Sequence, residues 1–270
     1  MNKKIYHFTT KDNPKLNEVG GKAKALIETT NADFPVPTGF ALSVEFFNNW
    51  LQEIKDSNEW SKLIFNVTRE QCEVVKSKAA QLMFNEQQKV ALEKALREFE
   101  SGTIFAVRSS SPEEDLEGTS FAGMYETLLG VTTQRLERAI ASAFSSCFDF
   151  RVMKYKRQNN INLENTCIAV IVQRQIASDA SGVGFSLNPN NNCYDEVMIN
   201  ASFGLGESIV SGIVTPDTYV VDSVKNEIIE KKIGDKLTAL WLKDNGSTIQ
   251  KDNINSKEQA LTDKQILELS

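Results

Sequence analysis

The sequence predicts an α+β fold with a helix-rich amino-terminal segment. Three observations carry that expectation. Up to residue 102, apolar residues recur at three- and four-residue spacing, as on one face of a helix. From residue 103 on they gather in short Val- and Ile-rich runs bounded by Gly, Pro, Asn or Asp, as in strands. The 270 residues, 41% hydrophobic and 24% charged, suffice for a real core, and at roughly 100–200 residues per domain they suggest two packed lobes. The boundary is expected where the pattern changes, with a helix-rich lobe over 1–102 and an α+β lobe over 103–270.

Gly20 and Gly21 precede Lys22, Ala23, Ala25, Leu26 and Ile27, a loop opening into a helix. Pro35 and Pro37 interrupt, and Thr38-Gly39 turn into an apolar stretch from Phe40 to Leu42. Ser43 is placed to cap a helix that carries Phe46, Trp50 and Ile54. A further helix is expected from about Glu59 to Met83. Asn85 with Gln88 makes a capping box, and Leu92, Ala95, Leu96 and Phe99 give the helix behind it one buried face before Ser101-Gly102 ends it. Thr103–Val107 reads as a strand that breaks into the polar loop RSSSPEEDLEGTSFAGM. One long helix should follow over Thr133–Arg157, with Leu136, Ile140, Phe144 and Cys147 aligned. Strands are expected at Cys167–Gln173, Gly182–Leu187, Glu196–Asn200, Thr218–Val221 and Glu227–Lys232. Asp244-Asn245-Gly246 offers the positive-φ positions of a hairpin between Leu240–Leu242 and Thr248–Gln250. Thr262 and Gln265 form another capping box, but that helix has barely begun at Ser270. A helix so short is marginal unless packed or continued, so the expectation is that the chain is the front portion of a longer protein.

Composition narrows the function. Lys plus Arg number 30 against 36 Asp plus Glu, a formal charge of −6, so a broad nucleic-acid or anionic-membrane surface is disfavoured and any bound anion must meet a local cluster. No apolar run of 18 residues is present, and the start MNKKIYHFTTKDN lacks the apolar stretch of a signal peptide; the expected compartment is the cytoplasm. Cys72, Cys147, Cys167 and Cys193 lie far apart, which argues for buried free thiols over a zinc cage or disulfides. His7 is the single histidine.

Three segments combine glycines with charged or hydroxyl residues, as phosphate sites do, because backbone N–H groups approach an oxyanion only where side chains are small. None is a standard nucleotide motif. Gly20-Gly21-Lys22 lacks the Walker spacing, and Gly204-Leu205-Gly206 is followed by Ile209 where a dinucleotide fingerprint needs glycine. Taken alone, each also has a bland account: Lys22 as a solvated lysine, Ser111-Pro112-Glu113-Glu114 as a helix start, Arg108 as half of a structural ion pair. Arg108 stands out because it follows an apolar strand and precedes three serines.

Together the segments resemble a known family. VGGKAKAL (19–26), PVPTGFALS (35–43), FAVRSSSPEEDLEGTSFAGMYETLLGV (105–131), VIVQRQIASDASGVGFSLNP (170–189) and INASFGLGESIVSGIVTPDTYVVD (199–222) occur in the order seen in the amino-terminal nucleotide-binding domain of the phosphoenolpyruvate synthase and pyruvate phosphate dikinase family. Rifampicin phosphotransferases have a similar domain. The resemblance covers roughly residues 14–225, and residues 226–270 resemble nothing sharply.

What the resemblance implies is an ATP-grasp fold, two α+β lobes clasping ATP, with a helix-rich N-terminal segment contributing to the site. Lys22 is similar to the family's phosphate lysine, a point charge on the oxygens as the phosphoryl group leaves. Arg108 matches the arginine whose planar fork grips the phosphates. Ser120 to Gly123, with Thr127 behind them, correspond to a glycine-containing lid over the triphosphate, and here Met124 and Tyr125 stand where many relatives have two glutamines. Gln173 is at the hinge position where the edge of adenine is read. Glu207, in GLGES, corresponds to a polar contact near ribose or metal.

The family's Mg²⁺-binding Asp-x-Glu-Trp motif and its phosphohistidine signature do not occur before Ser270. Mg²⁺ ligands are therefore expected mostly beyond residue 270, and the carrier histidine on another domain, with His7 outside every motif. The resemblance implies the ATP-binding portion of a pyruvate, water dikinase-like enzyme. That enzyme passes the β-phosphoryl group of ATP through the partner phosphohistidine domain to pyruvate. Alternatives with the same fold are the ATP domain of a rifampicin phosphotransferase or of a pyruvate phosphate dikinase; another is a catalytically inactive nucleotide-binding module.

Overall fold

The computed structural model describes residues 4–113 and 125–270, which divide into two compact units, Met1–Gln175 and Ile176–Ser270. The first unit runs through β1 (Ile5–His7), α1 (Leu16–Asn31), β2 (Gly39–Leu42), α2 (Asn48–Lys55), α3 (Asn58–Phe65), α4 (Arg69–Ala79) and α5 (Glu86–Leu96). It continues through β3 (Phe105–Ser110), β4 (Thr127–Val131), α6 (Leu136–Ser145), α7 (Phe150–Gln158) and β5 (Ala169–Arg174). Its strands form one antiparallel sheet in the order β1-β2-β5-β3-β4. The change of pattern at 102/103 is thus a change from helix to strand inside this unit.

Because side chains alternate along a strand, the sheet has two interiors. Phe40, Leu42, Phe105, Val107, Val170 and Val172 face the helical layer, where Phe46, Phe47, Trp50, Phe144 and Phe148 pack ring against ring. Each fully buried Phe contributes roughly 1.5–3 kcal/mol by leaving water, so this face is the unit's main stabilising layer. Ala41 and Ile171 face the other way, with Tyr6 and Phe8, and are covered by Val19, Ala23 and Ile27 of α1.

The second unit holds β6 (Ala180–Phe185), β7 (Glu196–Phe203), the short α8 (Glu207–Val210), β8 (Asp217–Asp222) and β9 (Glu227–Lys232). A hairpin of β10 (Thr238–Leu242) and β11 (Thr248–Asp252) and then α9 (Asp263–Leu269) complete it. β6 to β9 pair antiparallel in sequence order. Val197, Ile199, Ala201, Tyr219 and Val221 line one face, and Ile266 of α9 packs there, fully buried. Beneath α9 lies a completely buried ion pair, Asp217 with Lys236. Asp217 also accepts from Gly234 N at 2.9 Å, Tyr219 OH at 2.8 Å and Ala260 N at 2.8 Å, so one carboxylate ties a strand, a loop and the entry to α9. Burial, and then the Asp217 carboxylate beside it, push the Tyr219 hydroxyl up from its ordinary pKa.

Several expected elements differ in detail. The helix expected over Thr133–Arg157 is broken: Ser145 and Ser146 turn their hydroxyls back to Ser142 O and Ala143 O, and Asp149 caps a new helix by accepting from Arg151 N at 3.0 Å. Glu59–Met83 splits into α3 and α4, the latter capped by Thr68. Ser43 donates to Lys4 O instead of capping, and a 3₁₀ turn over Val44–Phe47 precedes α2. In the β10–β11 turn the positive φ falls on Gly246 and Ser247. The capping boxes at Asn85 and Thr262 form as expected. All four cysteines are free, but Cys167 and Cys193 are half-buried rather than buried. Burial, with Asp149 and Glu73 nearby, pushes the Cys72 thiol up to about 12.

Removing one member of the Asp217–Lys236 pair leaves an uncompensated charge in the interior. Asp217→Ala should cost about 3–5 kcal/mol, read as a lowered urea midpoint, and Asp217→Leu combined with Lys236→Met should recover the part of that loss due to the unpaired charge, while Gly234 N, Tyr219 OH and Ala260 N still lose their acceptor. Equal losses in both proteins would refute this account of the hub.

Candidate anion-binding site

The site is assembled where α1 meets the end of β3. Gly20 interrupts α1 with φ +76° and ψ 166°, so the helix effectively restarts at Gly21. A Cβ on Gly20 would lie 2.4 Å from Ser110 O, which only a glycine's missing side chain permits. The restarted helix leaves amide donors that have no intrahelical acceptor. Two of them find the strand end: Gly21 N donates to Ser111 O at 3.4 Å and Ala23 N to Ser110 Oγ at 3.1 Å. Lys22 stands on this turn, half-buried, with Nζ 6.0 Å from the ring centroid of Tyr125. Tyr125 in turn donates its hydroxyl to Ser111 Oγ at 3.1 Å.

The run R-S-S-S is divided between the two faces of the sheet by strand alternation. Ser109, buried, points to the helical layer, within hydrogen-bonding distance of Ala143 O and Ser146 Oγ. Arg108 and Ser110 point to the α1 side. In register, Arg108 lies opposite Thr127 on β4 and Ile171 on β5, and Ala106 lies opposite Gln173. Arg108, Ser110, Thr127 and Gln173 therefore share the sheet face on which α1 and Lys22 sit. Arg108 is half-buried and Thr127 exposed. Gln173 is 8% exposed and its Nε2 donates to Pro37 O at 3.0 Å, which leaves Oε1 as its other polar atom.

Other expected positions fall elsewhere. Ser120 and Gly123 lie outside the described residues. Glu207 begins α8 in the second unit, half-buried. His7 has a structural setting, with Nδ1 2.9 Å from Glu98 Oε2 and its ring 5.7 Å from that of Phe40. Sequence reasoning passed over Gly20 as a close-approach glycine and Ser110, Ser111 and Tyr125 as parts of one network. The signal for the serines was present in their alternation after an apolar strand; Tyr125 gave none beyond its departure from the glutamine of relatives.

Chemically, the first unit offers a lysine ammonium, an arginine fork, a hydroxyl and the amino-terminal turn of a helix, a donor set suited to a polyanion such as a chain of phosphates. Among the described residues no three His, Cys, Asp or Glu side chains gather as metal ligands. No helix among the described residues is long and apolar enough to cross a membrane.

Comparison with known proteins adds identity to this chemistry. The family model described as the pyruvate phosphate dikinase AMP/ATP-binding domain matches residues 16–270, extending past residue 225, where the motif resemblance ends. The chain is 35% identical over 265 residues to a probable phosphoenolpyruvate synthase of Archaeoglobus fulgidus, covering 93% of this chain and 35% of that protein. It is 35% identical over 254 residues to an uncharacterized phosphotransferase of Bacillus subtilis, covering 93% and 29%. To a rifampicin phosphotransferase of Streptomyces it is 32% identical over 265 residues, covering 94% and 30%. The chain thus spans about a third of the length of these relatives.

Gly20→Ala should lower stability by about 1 kcal/mol or more, since the substitution is strained in φ and collides with Ser110 O. Gly184→Ala, where a Cβ meets nothing within 4 Å, should change the urea midpoint little. A wild-type midpoint for Gly20→Ala would refute the close-approach reading.

Proposed function

The chain belongs to the pyruvate phosphate dikinase AMP/ATP-binding domain family, and from that premise we propose that it is the ATP-binding portion of a phosphoenolpyruvate synthase-like phosphotransferase. The observation that carries the reading is the docking of the Gly20-Gly21-Lys22 turn on β3, with Arg108 on the same side of the sheet. In this reading the protein adopts an ATP-grasp arrangement. Lys22 neutralises phosphate oxygens as charge shifts to the leaving group, and Arg108 offers paired N–H donors to the same chain of phosphates. Thr127, exposed beside Arg108, supplies a hydroxyl, and Ser120 and Gly123 contribute from the segment between β3 and β4. Gln173 reads the adenine edge with its remaining polar atom, and Glu207 would offer its carboxylate to ribose or metal.

The complete enzyme would transfer the β-phosphoryl group of ATP to a histidine of a partner phosphohistidine domain and from there to pyruvate, with the γ-phosphoryl passing to water, giving phosphoenolpyruvate, AMP and phosphate. Mg²⁺ supplies charge neutralisation on the phosphates when bound; no step is assigned to it through the described residues, which gather no ligand set. Free thiols and an ATP substrate suit the cytoplasm. The 32% identity to a rifampicin phosphotransferase supports a second reading, in which the same ATP site serves a small-molecule acceptor.

Calorimetric titration with Mg·ATP tests the site directly. If charge-assisted bonds contribute about 1.5–3 kcal/mol each, Lys22→Ala and Arg108→Ala should each weaken binding roughly tenfold to a hundredfold. Equal affinity in the wild type and both variants would remove the assignment.

A further inference from the structure

One completely buried lysine has no part in the site as described so far. Lys156, on α7, has its Nζ 2.5 Å from Glu113 Oε2 and donates to Thr166 Oγ1 at 3.1 Å. Withdrawing both ions from water costs several kcal/mol per ion, and well-packed apolar residues often serve stability as well or better. Stability is therefore a weak account of the pair. Its surroundings are apolar enough that burial raises the thiols of Cys147 and Cys167, and both thiols feel the charges of Lys156 and Glu113.

The position of Glu113 suggests a different account. Glu113 lies in the turn that leaves β3, and its own N–H donates to Ser111 Oγ at 3.1 Å. That oxygen also accepts from Tyr125 OH, and the Ser111 carbonyl accepts from Gly21 N. The ion pair thus grips Glu113, two residues from the Ser111 oxygens that meet Gly21 and Tyr125. The turn belongs to neither helix nor strand, so no ladder of backbone bonds fixes it. A buried ion pair can.

We propose that Lys156 is a positioning residue for the anion site: through Glu113 it fixes the turn Ser111–Glu113, so that Ser111 holds Gly21 and Tyr125 and thereby sets where Lys22 stands. This rests on the nucleotide-binding reading of Lys22 and Arg108.

The test uses the chain as it exists, with Mg·ATP as the probe. Lys156→Met combined with Glu113→Leu removes both charges and leaves no ion unpaired. Its urea midpoint should equal or exceed that of the wild type, while the Kd for Mg·ATP rises by about threefold to tenfold. A purely structural pair would not separate those two readouts. Lys156→Arg should keep affinity within about twofold, and Ser111→Ala should lose affinity with the ion pair intact. A folded double variant with wild-type affinity overturns the proposal, as does wild-type affinity in Ser111→Ala, which decides alone should the double variant not fold. Lys22→Ala and Arg108→Ala in the same titration separate the two levels. Weakened binding in both, with none in the double variant, sinks the Lys156 proposal only, whereas wild-type binding in both sinks the nucleotide reading and the proposal with it.

Discussion

Backbone contact between α1 and the end of β3 at Gly20 is the constraint on which the first unit's chemistry depends. With a side chain there, the two segments would have to separate, since the position of its Cβ is 2.4 Å from Ser110 O. Separation would break the bonds from Gly21 N and Ala23 N to the two serines and shift Lys22 from the sheet face that carries Arg108. Positive φ and absent Cβ are thus one requirement at this position. The helix must stop and restart where the strand ends, and only then do its first amides and its lysine come to the same place.

Strand alternation supplies the second half of the arrangement. Along β3, Phe105, Val107 and Ser109 serve the helical layer, and Ala106, Arg108 and Ser110 serve the α1 side. A single strand is therefore both core element and site wall. The aromatic layer behind it, with Phe47, Trp50, Phe144 and Phe148 in ring contact, is what makes the wall rigid. A site held to fractions of an ångström needs supporting side chains locked by packing, and here the lock and the site are opposite faces of the same six residues.

Local signals were legible in the sequence because they depend on neighbours in the chain. The capping boxes at Asn85 and Thr262 and the strand Glu227–Lys232 need only adjacent residues to be recognised. Features that depend on distant partners were not. β1 is three residues long and exists because β2 pairs with it; β4 was submerged in the polar loop before it. Asp149 looks like any surface acid until the turn at Ser145–Ser146 places it at a helix start. Asp217 and Lys236 belong to residue types that are almost never fully buried, and only the tertiary structure brings them together 19 residues apart. Motif order pointed to Lys22 and Arg108, which the structure sets on one sheet face, whereas the bonds from Gly21 N and Ala23 N that join their elements depend on residues about 90 positions apart and could not be read from it.

A net charge of −6 and a site for a polyanion are compatible for a reason of scale. At physiological ionic strength the screening length is about 8 Å, so most of the 36 carboxylates contribute little at any one surface point. Lys22 and Arg108 are half-buried, which lowers the screening between them and an anion lying on that face. The helix turn beside them adds partial positive charge held in place by the backbone, through amides whose Gly21 and Ala23 N–H groups donate to Ser111 O and Ser110 Oγ. Whether the chain holds a polyanion is therefore decided by a few donors whose placement the Gly20 contact sets, and an acidic overall balance then works only against extended anionic surfaces such as nucleic acid, whose contact area takes in many carboxylates at once.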